Sequence, residues 1–118
     1  MKQDVVHGGA GNDKIYGGTN DGFDGGDAGE EDIKYLYGDE GHDKIWGSNN
    51  LSEQYIRGGE GDDIIRSGGD IGTSIIFGDD GDDIIYPGAN IDTTPDGDEV
   101  DTIFAGKGDD IINPTTYF

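Results

Sequence analysis

One nine-residue pattern recurs five times along this chain, and that recurrence dictates the architecture. Gly8-Gly9-Ala10-Gly11-Asn12-Asp13-Lys14-Ile15-Tyr16 returns as Gly38-Asp39-Glu40-Gly41-His42-Asp43-Lys44-Ile45-Trp46 and as Gly58-Gly59-Glu60-Gly61-Asp62-Asp63-Ile64-Ile65-Arg66. It returns again as Gly78-Asp79-Asp80-Gly81-Asp82-Asp83-Ile84-Ile85-Tyr86 and as Ala105-Gly106-Lys107-Gly108-Asp109-Asp110-Ile111-Ile112-Asn113. Position 4 is always Gly, position 6 always Asp and position 8 always Ile, and position 1 is Gly in four of the five. The units start at residues 8, 38, 58, 78 and 105, in steps of 30, 20, 20 and 27. Twenty is the basic period, with insertions of 10 and 7. A period near 20 marks a solenoid, in which units that cannot bury their apolar face alone do so by stacking.

Between the units lie arcs at residues 17–37, 47–57, 67–77 and 87–104. Each ends in an aliphatic residue and one more: Leu36-Tyr37, Ile56-Arg57, Ile76-Phe77 and Ile103-Phe104. Unit plus arc makes one coil with two short strands on opposite walls. Alternate side chains of a strand point to opposite faces, so each strand turns one aliphatic residue inward. The expected core is Ile15, Leu36, Ile45, Ile56, Ile65, Ile76, Ile85, Ile103 and Ile112. The whole chain, 1–118, reads as one domain with repeats over 8–113 and short flanks at 1–7 and 114–118.

Composition limits what this stack can do. The chain has 27 Asp and Glu against 7 Lys and Arg, a net charge of −20, and only 31% hydrophobic residues. A nucleic-acid binder needs a positive face for phosphates, and a membrane-spanning helix needs about 18 apolar residues in a row; neither is present. Without cysteine there is no disulfide and no thiolate metal site. Low hydrophobicity with high charge is by itself the composition of disorder, so either the chain is unfolded or something outside the sequence completes the fold.

The nine-residue unit resembles the repeats-in-toxin (RTX) nonapeptide, G-G-x-G-x-D-x-U-x with U aliphatic, a calcium-binding repeat. The resemblance spans residues 8–113. It implies an all-β fold, a right-handed parallel β-roll or β-helix solenoid of about five 20-residue coils with two insertions. It further implies that positions 1–6 turn and positions 7–9 form a strand. Calcium would sit between stacked turns, held by carbonyls at positions 1, 3 and 5 of one turn and by positions 2 and 4 and the position-6 carboxylate of a neighbour. The candidate metal-holding residues are therefore 8–13, 38–43, 58–63, 78–83 and 105–110. The usual coil of that family is two such units, with loops on both walls. Here only every other unit is clean.

The residue types suit that role. Gly reaches the unusual backbone angles of a tight turn without a Cβ clash, and Asp adds a hard anionic oxygen. Calcium takes six to eight oxygens in irregular geometry, whereas magnesium wants a tight octahedron with waters and zinc wants His or Cys. Five stacked loops leave four intervals, so about four ions are expected on this wall. They lie between Asp13 and Asp43, Asp43 and Asp63, Asp63 and Asp83, and Asp83 and Asp110, with each interior Asp serving two ions. On the opposite wall the equivalent of position 6 reads Lys34, Gln54, Ser74 and Asp101. That edge is expected to close by hydrogen bonds. Only Asp96-Gly97-Asp98-Glu99-Val100-Asp101 still reads as a calcium turn there. Asp21, Asp24, Asp27, Glu30 and Glu31 in the first insertion form either an extra ion site or a solvated loop, without EF-hand spacing. His42 reads as a surface residue and His7 as an entry residue.

No catalytic constellation is legible. Paired carboxylates can cut glycosides, but these repeat with the coil and do not converge on a cleft. The outward strand positions carry many aromatic and aliphatic residues, either as good strand formers or as a contact face for a flanking domain or another copy. Residues 1–7 hold no signal-peptide core. RTX proteins resemble one another in carrying an uncleaved export signal beyond the repeats, so the chain reads as a segment of a larger protein exported by a type I-like route into millimolar extracellular calcium. The expected function is a non-catalytic, calcium-binding module that folds outside the cell, a folding or spacer unit. The alternative is a recognition or adhesin solenoid whose flat outer wall binds a partner protein, a glycan or ice. Ice needs a regular outward Thr array, and Thr102 is the only Thr at the outward positions of these strands.

Overall fold

The computed structural model of the chain describes residues 2–17, 32–47, 53–67, 73–86 and 102–112. Ten strands follow one another: β1 (Lys2–Ala10), β2 (Lys14–Tyr16), β3 (Asp32–Glu40), β4 (Lys44–Trp46), β5 (Glu53–Glu60), β6 (Ile64–Arg66), β7 (Thr73–Asp80), β8 (Ile84–Tyr86), β9 (Thr102–Phe104) and β10 (Ile111–Ile112). No described residue is helical. The odd strands form one five-stranded sheet in the order β1-β3-β5-β7-β9, and the even strands form the other in the order β2-β4-β6-β8-β10. Every pairing in both sheets is parallel. The chain is an all-β roll of five rungs with a long wall of odd strands and a short wall of even ones.

The register places like on like. Ile15, Ile45, Ile65, Ile85 and Ile112 pair in sequence on the short wall. Leu36, Ile56, Ile76 and Ile103 do so on the long wall. The steps of 30, 20, 20 and 27 residues in sequence all become one rung in space. The turn contact that crosses them measures 2.8, 2.8, 2.9 and 2.9 Å in turn.

Seven of the nine expected core residues are buried: Ile15, Leu36, Ile45, Ile56, Ile65, Ile76 and Ile85, with Ile103 partly buried against them. Ile112 differs. It lies in the inward column but is 43% exposed, because β10 is an edge strand with no rung beyond it. The other end mirrors this. Val6 pairs with Leu36 in the inward column and is 38% exposed. Residues 2–7 are accordingly not a flank: they build the long wall of the first rung, where β-branched Val5 and Val6 suit a strand.

A second difference concerns the turn. The first four long-wall strands run on through position 3 of their units instead of ending before them, so the turn proper there occupies positions 4–6. The cause is a continued ladder: Gly11, Gly41 and Gly61 at position 4 donate N–H to the position-3 carbonyls of Glu40, Glu60 and Asp80, each at 2.8 Å.

Outward side chains stack on one another along the solenoid axis. His7 lies on Tyr37, Tyr35 on Tyr55 and Phe77 on Phe104, with centroids 4.6, 4.9 and 5.0 Å apart. On the short wall Tyr16 lies on Trp46 at 4.6 Å. Arg57 covers Phe77 and Arg66 covers Tyr86. Much of the outward apolar surface anticipated from the sequence is thus satisfied within each wall. The acids Asp21, Asp24, Asp27, Glu30 and Glu31, and the turn at 96–101, lie outside the described residues.

Candidate metal centre

The position-6 aspartates form a column inside the turn edge. Asp43, Asp63 and Asp83 are almost fully buried. Each uses one oxygen on the rung before it. The N–H of Asp13 donates to Oδ1 of Asp43, that of Asp43 to Asp63, that of Asp63 to Asp83 and that of Asp83 to Asp110. A buried N–H needs an acceptor, and here the next carboxylate supplies it. One oxygen of each interior Asp is thus held by the main chain of the rung before.

The other oxygen is left bare. Oδ2 of Asp13, Asp43, Asp63 and Asp83 is buried and has no hydrogen-bond partner. Each faces the missing side chain of the Gly at position 1. A Cβ on Gly8 would lie 2.7 Å from the Gly38 carbonyl oxygen and 2.8 Å from Asp13 Oδ2. Gly38 and Gly78 repeat this with tighter contacts to the next position-1 carbonyl and their own Asp, and Gly58 with a tighter contact to Asp63 and 2.8 Å to the Gly78 carbonyl. So the position-1 carbonyl of one rung and the carboxylate of the rung before converge on one small space. The fifth unit has Ala105 at position 1, whose Cβ takes the space that Gly leaves open in the other four.

Position 4 supplies oxygens from the opposite direction. A Cβ on Gly41, Gly61, Gly81 or Gly108 would fall on the carbonyl oxygen of Gly11, Gly41, Gly61 or Gly81, respectively. The position-4 carbonyl of each rung therefore faces forward, and so do the position-2 carbonyls of Asp39 and Asp79, which face Gly59 and Gly106.

Burial dominates the electrostatics. Desolvation raises Asp63 to about 7 and Asp83 to about 6, partly offset by the backbone N–H each accepts, with neighbouring carboxylates adding to the rise. Asp43 is shifted upward for the same leading reason. A bare, desolvated carboxylate oxygen facing a position-1 carbonyl, on a turn edge lined by further carbonyls, is an uncompensated anionic set of hard oxygens. These residues fit calcium. Among the described residues no three His, Asp or Glu side chains gather around one point; each bare carboxylate oxygen faces a main-chain carbonyl.

A second column was missed from the sequence. Asn12 Oδ1 accepts the N–H of His42, His42 Nδ1 that of Asp62, Asp62 Oδ1 that of Asp82, and Asp82 Oδ1 that of Asp109, at 2.8–2.9 Å. His42 is exposed but is a rung of this ladder. The signal was present: Asn, His and Asp all carry an acceptor at the δ position. Asp39 and Asp79 were also underread. Both have positive φ, 79° and 76°, and both reach the rung before: Asp39 to His7 at 3.1 Å, Asp79 to Arg57 by two bonds of 2.9 Å.

The opposite edge closes by hydrogen bonds where it is described. Lys34 Nζ donates to the Gly17 carbonyl. Gln54 Nε2 donates to the Ser67 carbonyl and, at 2.9 Å, to Ser74 Oγ. Asp101 lies outside the described residues.

The family model of the RTX calcium-binding nonapeptide repeat (4 copies) matches residues 3–28, 35–50, 55–73, 69–93 and 96–113. No curated protein and no solved structure matches the chain. Among the described residues, no helix is long and apolar enough to cross a membrane.

Proposed function

The chain belongs to the RTX calcium-binding nonapeptide repeat family, and from that premise we propose that it is a non-catalytic module that folds when extracellular calcium fills its turn column. The observation that carries this is the row of four buried carboxylate oxygens without a partner, Oδ2 of Asp13, Asp43, Asp63 and Asp83. Each would hold one ion with the position-1 carbonyl of the next rung and the position-2 and position-4 carbonyls of its own. That gives four ions, at Gly8, Gly38, Gly58 and Gly78, and none at Ala105. Calcium supplies the positive charge that lets these carboxylates ionise while buried. The chain's own residues do the rest: Gly keeps the space open, the Oδ1 ladder fixes each carboxylate, and the aliphatic columns hold the rungs in register.

Binding only the folded state stabilises it by mass action. In a chain of net charge −20 with one inward aliphatic residue per strand, this makes folding conditional on the ion. The role proposed is a calcium-triggered folding or spacer unit of a larger secreted protein. The test is circular dichroism of the metal-stripped chain with calorimetric counting of ions. We expect disorder without metal, β signal in millimolar calcium, about four ions bound, and far less effect of magnesium. A full β spectrum in the stripped chain, or equal potency of magnesium, would sink the reading.

A further inference from the structure

The two edges of the roll share one spacing, and they close differently. On the turn edge an Asp stands two residues before each inward Ile of the short wall, and in four rungs of five a Gly stands two residues after the inward residue of the long wall. The opposite edge repeats this. Lys34, Gln54 and Ser74 stand two residues before Leu36, Ile56 and Ile76, and Gly17, Gly47 and Ser67 stand two residues after Ile15, Ile45 and Ile65. Lys34, Gln54 and Ser74 lie one above another in register.

A Cβ on Gly47 would strike the Ser67 carbonyl oxygen one rung on and lie 2.6 Å from Gln54 Oε1. At Gly8 the corresponding pair is the Gly38 carbonyl oxygen, also one rung on, and Asp13 Oδ2. There the carboxylate oxygen has no partner. At Gly47 the side chain brings its own donor: Gln54 Nε2 gives hydrogen bonds to the Ser67 carbonyl at 2.5 Å and to Ser74 Oγ at 2.9 Å. One rung earlier the half-buried Lys34 turns its ammonium to the Gly17 carbonyl. Lys34 supplies at this edge a compact positive charge, which is what a metal ion would bring. One rung later the buried Ser67 carries a side chain where Gly17 and Gly47 carry none. A buried carbonyl needs a donor or a cation. Among the described residues, the buried side-chain oxygens left without a partner all lie on the turn edge. The opposite edge meets its need from within the chain.

We propose that the opposite edge is a second column of cation positions whose occupants belong to the chain: the Lys34 ammonium fills the first and the Gln54 amide the second. Exchanging such a donor for an anionic oxygen opens its place to calcium. The proposal rests on the calcium reading of the turn edge and extends it by giving Lys34 and Gln54 the place of ions. The test counts ions. Gln54→Glu changes one NH2 into an oxygen at nearly constant shape, and so sets a buried carboxylate oxygen against the Ser67 carbonyl. Lys34→Met is combined with it, because Lys34 pairs in register with position 54 and would neutralise the new charge. Calorimetry of the full chain should count one more calcium in this double variant, about five against about four. Lys34→Met alone should leave the count unchanged. It should raise the calcium midpoint followed by circular dichroism about two- to threefold, because one charge-assisted bond is lost from a fold that several ions hold together. Lys34→Arg should restore that midpoint. A folded double variant with an unchanged count would overturn the proposal and leave calcium at the turn edge intact. Should the double variant give no β signal in calcium, Lys34→Met decides: a midpoint equal to that of the unchanged chain overturns the proposal. No β signal from the unchanged chain in calcium would overturn the calcium reading itself, and the proposal with it.

Discussion

Asp63 has to meet two demands with two oxygens. One accepts the N–H of Asp43, and the other is buried bare beside Gly58. Asp63→Asn separates the two demands, because the amide keeps an acceptor for the ladder and turns its NH2 toward the cage. The calcium midpoint should rise about tenfold or more with the loss of a charged ligand, while the metal-stripped chain should become more ordered. Asp63→Ala should also strip the Asp43 N–H of its acceptor, at a further cost of about 1–3 kcal/mol. Calcium titrations followed by circular dichroism distinguish the two. The pH dependence has a definite sign. Asp63 and Asp83 titrate near 7 and 6 in the metal-free fold against an ordinary value of 3.8. A raised folded-state value favours the fold where the group is protonated. The stripped chain should therefore gain β signal at pH 4–5 and lose it as pH rises through 6 to 7. Calcium, which needs the ionised form, should bind more tightly over that same rise. An unchanged pH profile in the Asp63→Asn, Asp83→Asn double variant would show that overall charge, not these two groups, sets it.

Strands and turns add a constraint that single residues do not show. Gly11 and Gly41 occupy the same position of successive units, with φ of 114° and 132°. A Cβ on Gly11 would meet nothing within 4 Å, whereas one on Gly41 would strike the Gly11 carbonyl. Gly11→Ala should cost about 1–2 kcal/mol for its backbone angle alone. Gly41→Ala should uncouple the first rung from the second, which urea unfolding in saturating calcium will register as a much larger loss. This element level is also where legibility in the sequence divides. The inward Ile at position 8 and the aliphatic residue closing each arc identified both walls, because a period-2 strand beside a fixed turn leaves one inward side chain. The Gly at position 4 and Asp at position 6 located the cage. The first strand was overlooked although Val6-His7 stands before Gly8 as Leu36-Tyr37 stands before Gly38. The position-5 ladder was hidden because Asn12, His42 and Asp62 look unrelated until the rungs stack in register. The engagement of Oδ1 is a main-chain demand, and no side-chain pattern announces it.

At the scale of the whole molecule, stability is a sum over neighbouring rungs, and the end rungs have one neighbour each. The six exposed large hydrophobics among the described residues, Val5, Val6, Tyr16, Phe104, Ile111 and Ile112, all lie on the first or last rung. Amide hydrogen exchange in calcium should therefore be slowest in β5 and β6 at the centre and fastest in β1, β2, β9 and β10. Uniform protection across the rungs would mean that the roll opens only as one unit. The even turn contacts carry a further consequence. Thirty, 20, 20 or 27 residues of chain all raise the roll by the same step. Height and chain length are independent variables in this molecule. A foreign peptide spliced into an arc should add mass without moving a single ion, which makes the arcs graft points and the metal column a ruler that such grafts leave unchanged.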